Sequence, residues 1–151
     1  FDQDTKNQII YADGWYENES VVNSEGVEVS AQYDIFKILS LSADYAYIDA
    51  KTGTNTQLLS VPKNSADFTI SFKPSQRSSS SILVRYNGKE KNTNGDVKSW
   101  TRVDVNTNYK ITERLSAFAK VENLFDENYQ QVYGYGTPGI SGLVGVSLTL
   151  Q

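Results

Sequence analysis

The sequence predicts an all-β fold, part of an antiparallel transmembrane β-barrel, and three patterns carry this prediction. Apolar and polar residues alternate along most of the 151 residues, which is the period of a strand with two different faces. One of the two alternating sets contains no charged residue, as a lipid-facing surface requires. Short turns and long polar loops also follow one another in alternation, which is typical of a membrane barrel.

Eight strands are predicted from the alternation. In order they cover residues 5–11, 18–34, 38–50, 62–73, 79–89, 98–110, 114–124 and 139–151. In the third strand, for example, Leu41 and Tyr45 fall on one face and Asp44 on the other. None of the apolar-face positions chosen by this parity is charged, whereas the opposite face carries charged residues, and we expect that face to line the barrel lumen. These charged residues are Glu28, Asp34, Asp44, Asp67, Lys73, Arg85, Arg102, Asp104, Lys110, Lys120 and Glu122.

The connections support a barrel over a soluble β-sandwich, which also buries one face of each sheet. Short turns are predicted at 35–37, 74–78 and 111–113, and long loops at 51–60, 88–97 and 125–138. Aromatic residues stand close to both kinds of connection, as in the two aromatic girdles of a membrane barrel. They are Tyr33, Phe72 and Tyr109 near the short turns, and Tyr47 and Tyr86 near the long loops.

The composition excludes several classes of function. The chain has no His and no Cys, so imidazole bases, thiol nucleophiles and most zinc sites are absent. We therefore predict no enzyme, no cofactor and no metal site. The net charge of the chain is −4. The 14 Lys and Arg residues form no basic stripe, which argues against a nucleic-acid partner. No apolar run approaches the roughly 18 residues of a membrane helix.

One motif stands at the end of the seventh predicted strand. Asn123, Leu124, Phe125, Asp126 and Tyr129 belong to the run Asn-Leu-Phe-Asp-Glu-Asn-Tyr, which is followed by an aromatic, glycine-rich loop and a last alternating strand. Taken alone, Asn and Asp here predict a local cap that turns the chain. The whole block resembles the C-terminal end of TonB-dependent outer-membrane receptors, most closely the vitamin B12 and siderophore branch.

This resemblance implies a cellular location and a transport activity. It implies that the chain is the C-terminal portion of a barrel in the bacterial outer membrane, with short periplasmic turns and long extracellular loops. It also implies energy-coupled uptake of a scarce ligand such as cobalamin or a ferric siderophore. The implied partners are outer-membrane lipid, a plug domain, and a TonB-type periplasmic protein that contacts segments expected upstream of Phe1. The resemblance also implies a terminal aromatic residue, and strand parity places it directly after Gln151, facing lipid.

Two groups of candidate site residues follow from position and parity. Trp100, Tyr129, Tyr133 and Tyr135 are candidates for contact with a large ligand at the loop rim; packing against neighbouring loops is the alternative for each. The residues predicted to face the lumen or plug are Glu28, Asp44, Arg85, Arg102, Asp104, Phe118, Lys120 and Glu122. Cross-strand pairing is the alternative for the charged members. For the apolar Phe118 and Leu124, the alternative is a bulge that shifts the register.

Two other functions remain open at this point. A passive porin or a small structural barrel could close with eight strands, and a soluble β-sandwich could present a binding module. The first would lack an upstream plug, and the second would be extracted without detergent.

Overall fold

A computed structural model describes residues 1–12 and 14–150, apart from the side chains of residues 8, 10, 12, 19 and 20. Its strands are β1 (Asp2–Ala12), β2 (Trp15–Phe36), β3 (Leu39–Thr52), β4 (Asn64–Ser75), β5 (Ser78–Asn87), β6 (Trp100–Lys110), β7 (Leu115–Glu122) and β8 (Ser141–Leu148). Each strand pairs antiparallel with its neighbours in the chain, and the sheet order is β1 to β8. The predicted all-β antiparallel fold is confirmed. Within the described ranges, no helix is long and apolar enough to cross a membrane.

The strand bounds differ from the predicted ones in two informative places. β4 begins at Asn64 and not at residue 62, because Pro62 has no N–H to donate to a ladder. β1 and β2 continue into the predicted 12–17 connection, where Tyr11 pairs with Tyr16 and Ala12 with Trp15. The rings of Tyr11 and Tyr16 make an edge-to-face contact at 5.2 Å, and such cross-strand aromatic pairs stabilise a hairpin.

The register confirms the two faces assigned from sequence parity. One continuous row of apolar-face partners crosses seven strands: Tyr33, Leu41, Ile70, Ile82, Val105, Val121 and Gly142. We call this side the charge-free face; it is free of charge along the middle of the strands, whereas Glu25, Asp49 and Lys51 share its parity farther along β2 and β3. A row on the opposite, charge-bearing face runs through Asp34, Ser40, Ser71, Ser81, Asn106, Lys120 and Leu143.

Burial is concentrated at one end of the sheet. We call it the long-loop end, where the connections 53–63, 88–99 and 123–140 lie; the turns 37–38, 76–77 and 111–114 mark the short-turn end. The buried apolar residues are Val22, Ala50, Val97, Trp100 and Tyr129. All of them lie near the long-loop end. Large apolar side chains of the charge-free face remain exposed, up to 79% at Val144, which indicates a surface that lipid or another protein covers.

The β1–β2 hairpin extends past the rest of the sheet. β2 is 22 residues long, and β3 pairs with it only from Val22 to Phe36. β1 pairs with the other part, from Trp15 to Glu25. Residues 15–21 therefore form a two-stranded ribbon with β1 that rises about 20 Å beyond the end of β3.

Candidate functional site at the long-loop end

Asn123 closes the base of the last long loop. Its backbone has a left-handed conformation with φ 53°, which Asn tolerates better than most residues. Its side-chain Nδ2 donates to the carbonyl oxygens of Glu127 at 3.0 Å and Pro138 at 3.3 Å, and its Oδ1 accepts from the Glu127 amide at 2.8 Å. The residue is only 2% exposed. One amide side chain thus joins the start of the loop to its end.

Asp126 makes the second connection across the same loop. It is also left-handed, with φ 54°, and its Oδ1 accepts a hydrogen bond from the Ile140 amide at 2.8 Å. Gly139 lies directly beneath this carboxylate, and a Cβ added there would overlap Asp126 Oδ1. The glycine therefore provides the space in which the carboxylate reaches the start of β8.

A buried ion pair on β6 is hydrogen-bonded to the loop. Asp104, only 4% exposed, accepts from the Asn123 amide at 3.0 Å and from Arg102 Nη2 at 2.8 Å. Arg102 Nη1 in turn donates to the Tyr129 hydroxyl at 3.0 Å. These contacts form a continuous chain from Tyr129 through Arg102 and Asp104 to Asn123. Within the described residues, Arg102 Nε is buried without a hydrogen-bond partner.

Trp100 completes this group by packing against Tyr129. Their ring centroids lie 4.5 Å apart with the planes tilted by 36°, and the two residues are 6% and 7% exposed. The Tyr129 carbonyl oxygen also accepts from the Thr137 hydroxyl at 2.8 Å. We call Trp100, Arg102, Asp104, Asn123, Asp126 and Tyr129 together the loop clamp.

Tyr133 and Tyr135 lie outside the clamp, farther along the loop. Tyr133 packs on loop 88–99, where a Cβ at Gly95 would overlap its ring. Tyr135 is 72% exposed. The cleft between the two loops measures ≈ 470 Å³ and is lined by Tyr133 and Lys98 among others. Of the four candidate aromatics, the structure brings Trp100 and Tyr129 together and leaves Tyr135 open to solvent.

The charge-bearing face holds a row of charged neighbours in which one oppositely charged pair lies between two like-charged pairs. Asp44 lies opposite Asp67, Asp67 opposite Arg85, and Arg85 opposite Arg102. Like charges facing each other destabilise a sheet, and the ion pair between Arg85 Nε and Asp67 Oδ1 at 3.1 Å offsets this. In the part of the chain that the structure describes, Asp44 and Glu28 take part in no ion pair.

The other predicted residues of this face lie on β7. Lys120 Nζ and Glu122 Oε1 form an ion pair at 2.6 Å. Phe118 pairs with Gly145 in an unbroken β7–β8 register, so the alternative of a bulge at Phe118 is wrong. A Cβ at Gly145 would overlap the Phe118 ring. The glycine explains how an apolar ring fits on this face. Leu124 lies beyond β7 and donates its amide to the Val103 carbonyl at 2.8 Å.

Two aspartates at the long-loop end each hold two lysines, a feature that strand parity did not reveal. Asp49 contacts Lys51 at 2.8 Å and Lys63 at 2.7 Å. Asp96 contacts Lys89 at 2.6 Å and Lys91 at 3.2 Å. The hydrogen bonds from Lys89 and Lys91 lower the pKa of Asp96 below its ordinary value. Among the described residues, no group of three or more acidic side chains could hold a metal ion.

The family model described as TonB dependent receptor-like, beta-barrel matches residues 1–124. The fold is similar to the siderophore receptor PiuA from Acinetobacter baumannii, with TM-score 0.77, 19% identity, and coverage of 95% of this chain and 24% of that one. It is also similar to the closed form of the ferric-catecholate import receptor Fiu from E. coli K12, with TM-score 0.75, 18% identity, and coverage of 96% and 24%.

A third similar structure is the copper transporter OprC, with TM-score 0.76, 19% identity, and coverage of 89% of this chain and 25% of that one. At these identities the likeness establishes the fold. The chain spans about a quarter of the length of each of the three structures.

Proposed function

The chain belongs to the TonB-dependent receptor-like β-barrel family, and we propose that it forms eight wall strands of a transporter for energy-coupled uptake of a scarce ligand. The barrels of this family lie in the bacterial outer membrane, and so does this chain. The proposed ligand is a ferric siderophore or another large complex such as cobalamin. The plug domain, the remaining strands and the contact with a TonB-type protein belong to the longer receptor in this proposal. The family consists of receptors and transporters, and we assign no catalytic step to the chain.

The open sheet is the observation that carries this proposal. β1 and β8 are the two ends of the strand order, and they do not pair with each other in the described residues. A passive barrel of eight strands would have to join them. A soluble β-sandwich would cover the charge-free face with a second sheet, whereas the described strands form one sheet only. The arrangement therefore supports a wall section of a larger barrel.

The loop clamp supports a division of roles among the four aromatic candidates. Trp100 and Tyr129 are buried against each other, which suits a positioning role. Tyr133 and Tyr135 stand on the loop that the clamp holds, and exposed rings of this kind can pack on a large ligand at low entropic cost. We therefore assign ligand contact to Tyr133 and Tyr135.

The charge-bearing face supports a second contact, with the plug. Glu28 and Asp44 make no ion pair among the described residues, and they would favour Lys or Arg on a plug surface at the same level. Arg85, Arg102, Asp104, Lys120 and Glu122 already have partners within the wall. In the proposal these ion pairs stabilise the wall strands, and the carboxylates of Glu28 and Asp44 orient the plug.

Uptake by cells that express the full-length receptor tests the function. We expect accumulation of an iron-labelled siderophore that stops when the TonB-type protein is deleted or the proton gradient is collapsed. A panel of cobalamin, a ferric catecholate, a ferric hydroxamate and copper would identify the ligand class. Uptake of small solutes that is indifferent to both treatments would support a passive porin and refute the proposal.

A further inference from the structure

The β1–β2 hairpin concentrates the negative charge of the molecule. Residues 1–25 contain one basic residue, Lys6, and six acidic ones. The acidic residues are Asp2, Asp4, Asp13, Glu17, Glu19 and Glu25. The hairpin thus has a net charge of −5, whereas the whole chain has −4. The rest of the chain is nearly neutral, so the extended ribbon is electrostatically distinct from the wall that carries it.

The ribbon also has a free backbone edge. Residues 15–21 of β2 pair with β1 on one side, but β3 begins to pair on the other side only at Val22. The hydrogen bond from the Gly53 amide to the Val21 carbonyl at 2.8 Å marks the end of this covered stretch. Within the described residues no strand lies beside 15–20. Unpaired N–H and C=O groups of such an edge are a template for an added strand.

Apolar side chains accompany this edge. Ile9, Tyr11 and Tyr16 are strongly exposed, Tyr16 at 80%. The pairing of Tyr11 with Tyr16 and of Ile9 with Asn18 places them on one face of the ribbon. By parity along β2 this is the same side as the charge-bearing face of the wall. An added strand would therefore find backbone partners at the edge and aromatic contacts on one face.

We propose that the hairpin docks an extended basic segment of another polypeptide, which adds as a strand along residues 15–21 of β2. The charge selects this occupant, because a second copy of a hairpin with five net negative charges would be repelled. A small cation would leave the strand edge unpaired. The proposal concerns a protein partner on the outer side of the receptor, and it does not depend on which ligand is transported.

Binding of defined peptides to the full-length receptor in detergent tests the proposal. The probe is a fluorescent peptide of about ten alternating Lys and Val residues, long enough for one strand. Two controls are the matching Glu and Val peptide and a Lys peptide in which Pro replaces every second Val. We expect the first probe to bind with a Kd at least about tenfold lower than either control. Amide exchange in residues 15–20 should slow when it is bound.

A charge variant locates the contact. Glu17→Lys should weaken binding of the Lys and Val peptide by about tenfold or more, and Tyr16→Ser should weaken it as well. Glu113→Lys, an exposed change in the turn at the opposite end of the sheet, is the matched control and should bind like the unaltered receptor. Equal affinity for the Pro peptide, unchanged amide exchange at 15–20, or no effect of Glu17→Lys would each overturn strand addition. Siderophore uptake measured on the same variants reports on transport separately.

Discussion

Replacing Asn123 with Ala should release the last long loop. The side chain makes three hydrogen bonds, each worth about 1 kcal/mol net. Ala also tolerates the left-handed conformation less well, at a cost of about 1 kcal/mol. Water can hydrate part of the freed backbone, so we expect the free energy of loop opening to fall by about 3 kcal/mol. This corresponds to an increase in the open population on the order of 100-fold.

Amide hydrogen exchange of Ile140 in the purified full-length receptor measures this opening. That amide is bonded to Asp126 at the far end of the loop, so it reports closure and not the local change at residue 123. Asn128→Ala is the matched control, because Asn128 is an exposed amide in the same loop. If Ile140 exchanges at the same rate in Asn123→Ala as in the control, β7–β8 pairing and not the clamp closes the loop.

Three further predictions concern other parts of the wall and its loops. Gly139→Ala should displace the Asp126 carboxylate and accelerate exchange at the start of β8 by about tenfold, the loss of about one hydrogen bond. Because its two lysine partners lower the pKa of Asp96, loop 88–99 should stay fully ordered above the ordinary pKa of 3.8. It should lose this order as the pH falls through the lower pKa of the folded state. NMR of the loop checks this, and Asp96→Asn should show no such transition. In Gly145→Leu the new side chain should overlap Phe118, and a smaller fraction of the receptor should resist unfolding on a heated gel. Ser147→Leu is the control, and an equal folded fraction in the two variants would contradict this.

Much of the wall could be predicted because a strand has a period of two. Placing Leu41 on one face and Asp44 on the other required only local alternation, and the register then confirmed both faces across the sheet. The boundary near Pro62 was less predictable, since alternation alone does not mark the residue at which pairing begins, and β4 starts at Asn64. The tip of the ribbon, residues 12 and 15–17, was missed because alternation is weak there, and the pairing of Tyr11 with Tyr16 and of Ala12 with Trp15 shows that the chain stays extended.

The loop clamp was predictable only in part. The spacing of Asn123 and Asp126 indicated a turn, and both residues adopt the left-handed backbone that such a turn uses. Their partners could not be found from sequence, because Asp104 is 19 residues away from Asn123 and has the same parity as other charged residues of β6. Parity likewise placed Trp100 on the charge-bearing face but gave no sign that Tyr129 would cover it.

The loop clamp also has a consequence for the order of assembly. Its contacts join β6 to the residues after β7 and to those just before β8, so the full set of clamp contacts forms only when all three strands lie in place. Contacts between distant segments form late because their loops must close first. A receptor whose last strand is not yet in place would lack the contact of Asn123 with Pro138 and that of Asp126 with Ile140. The complete clamp is therefore present only in a barrel whose C-terminal strands have all been assembled.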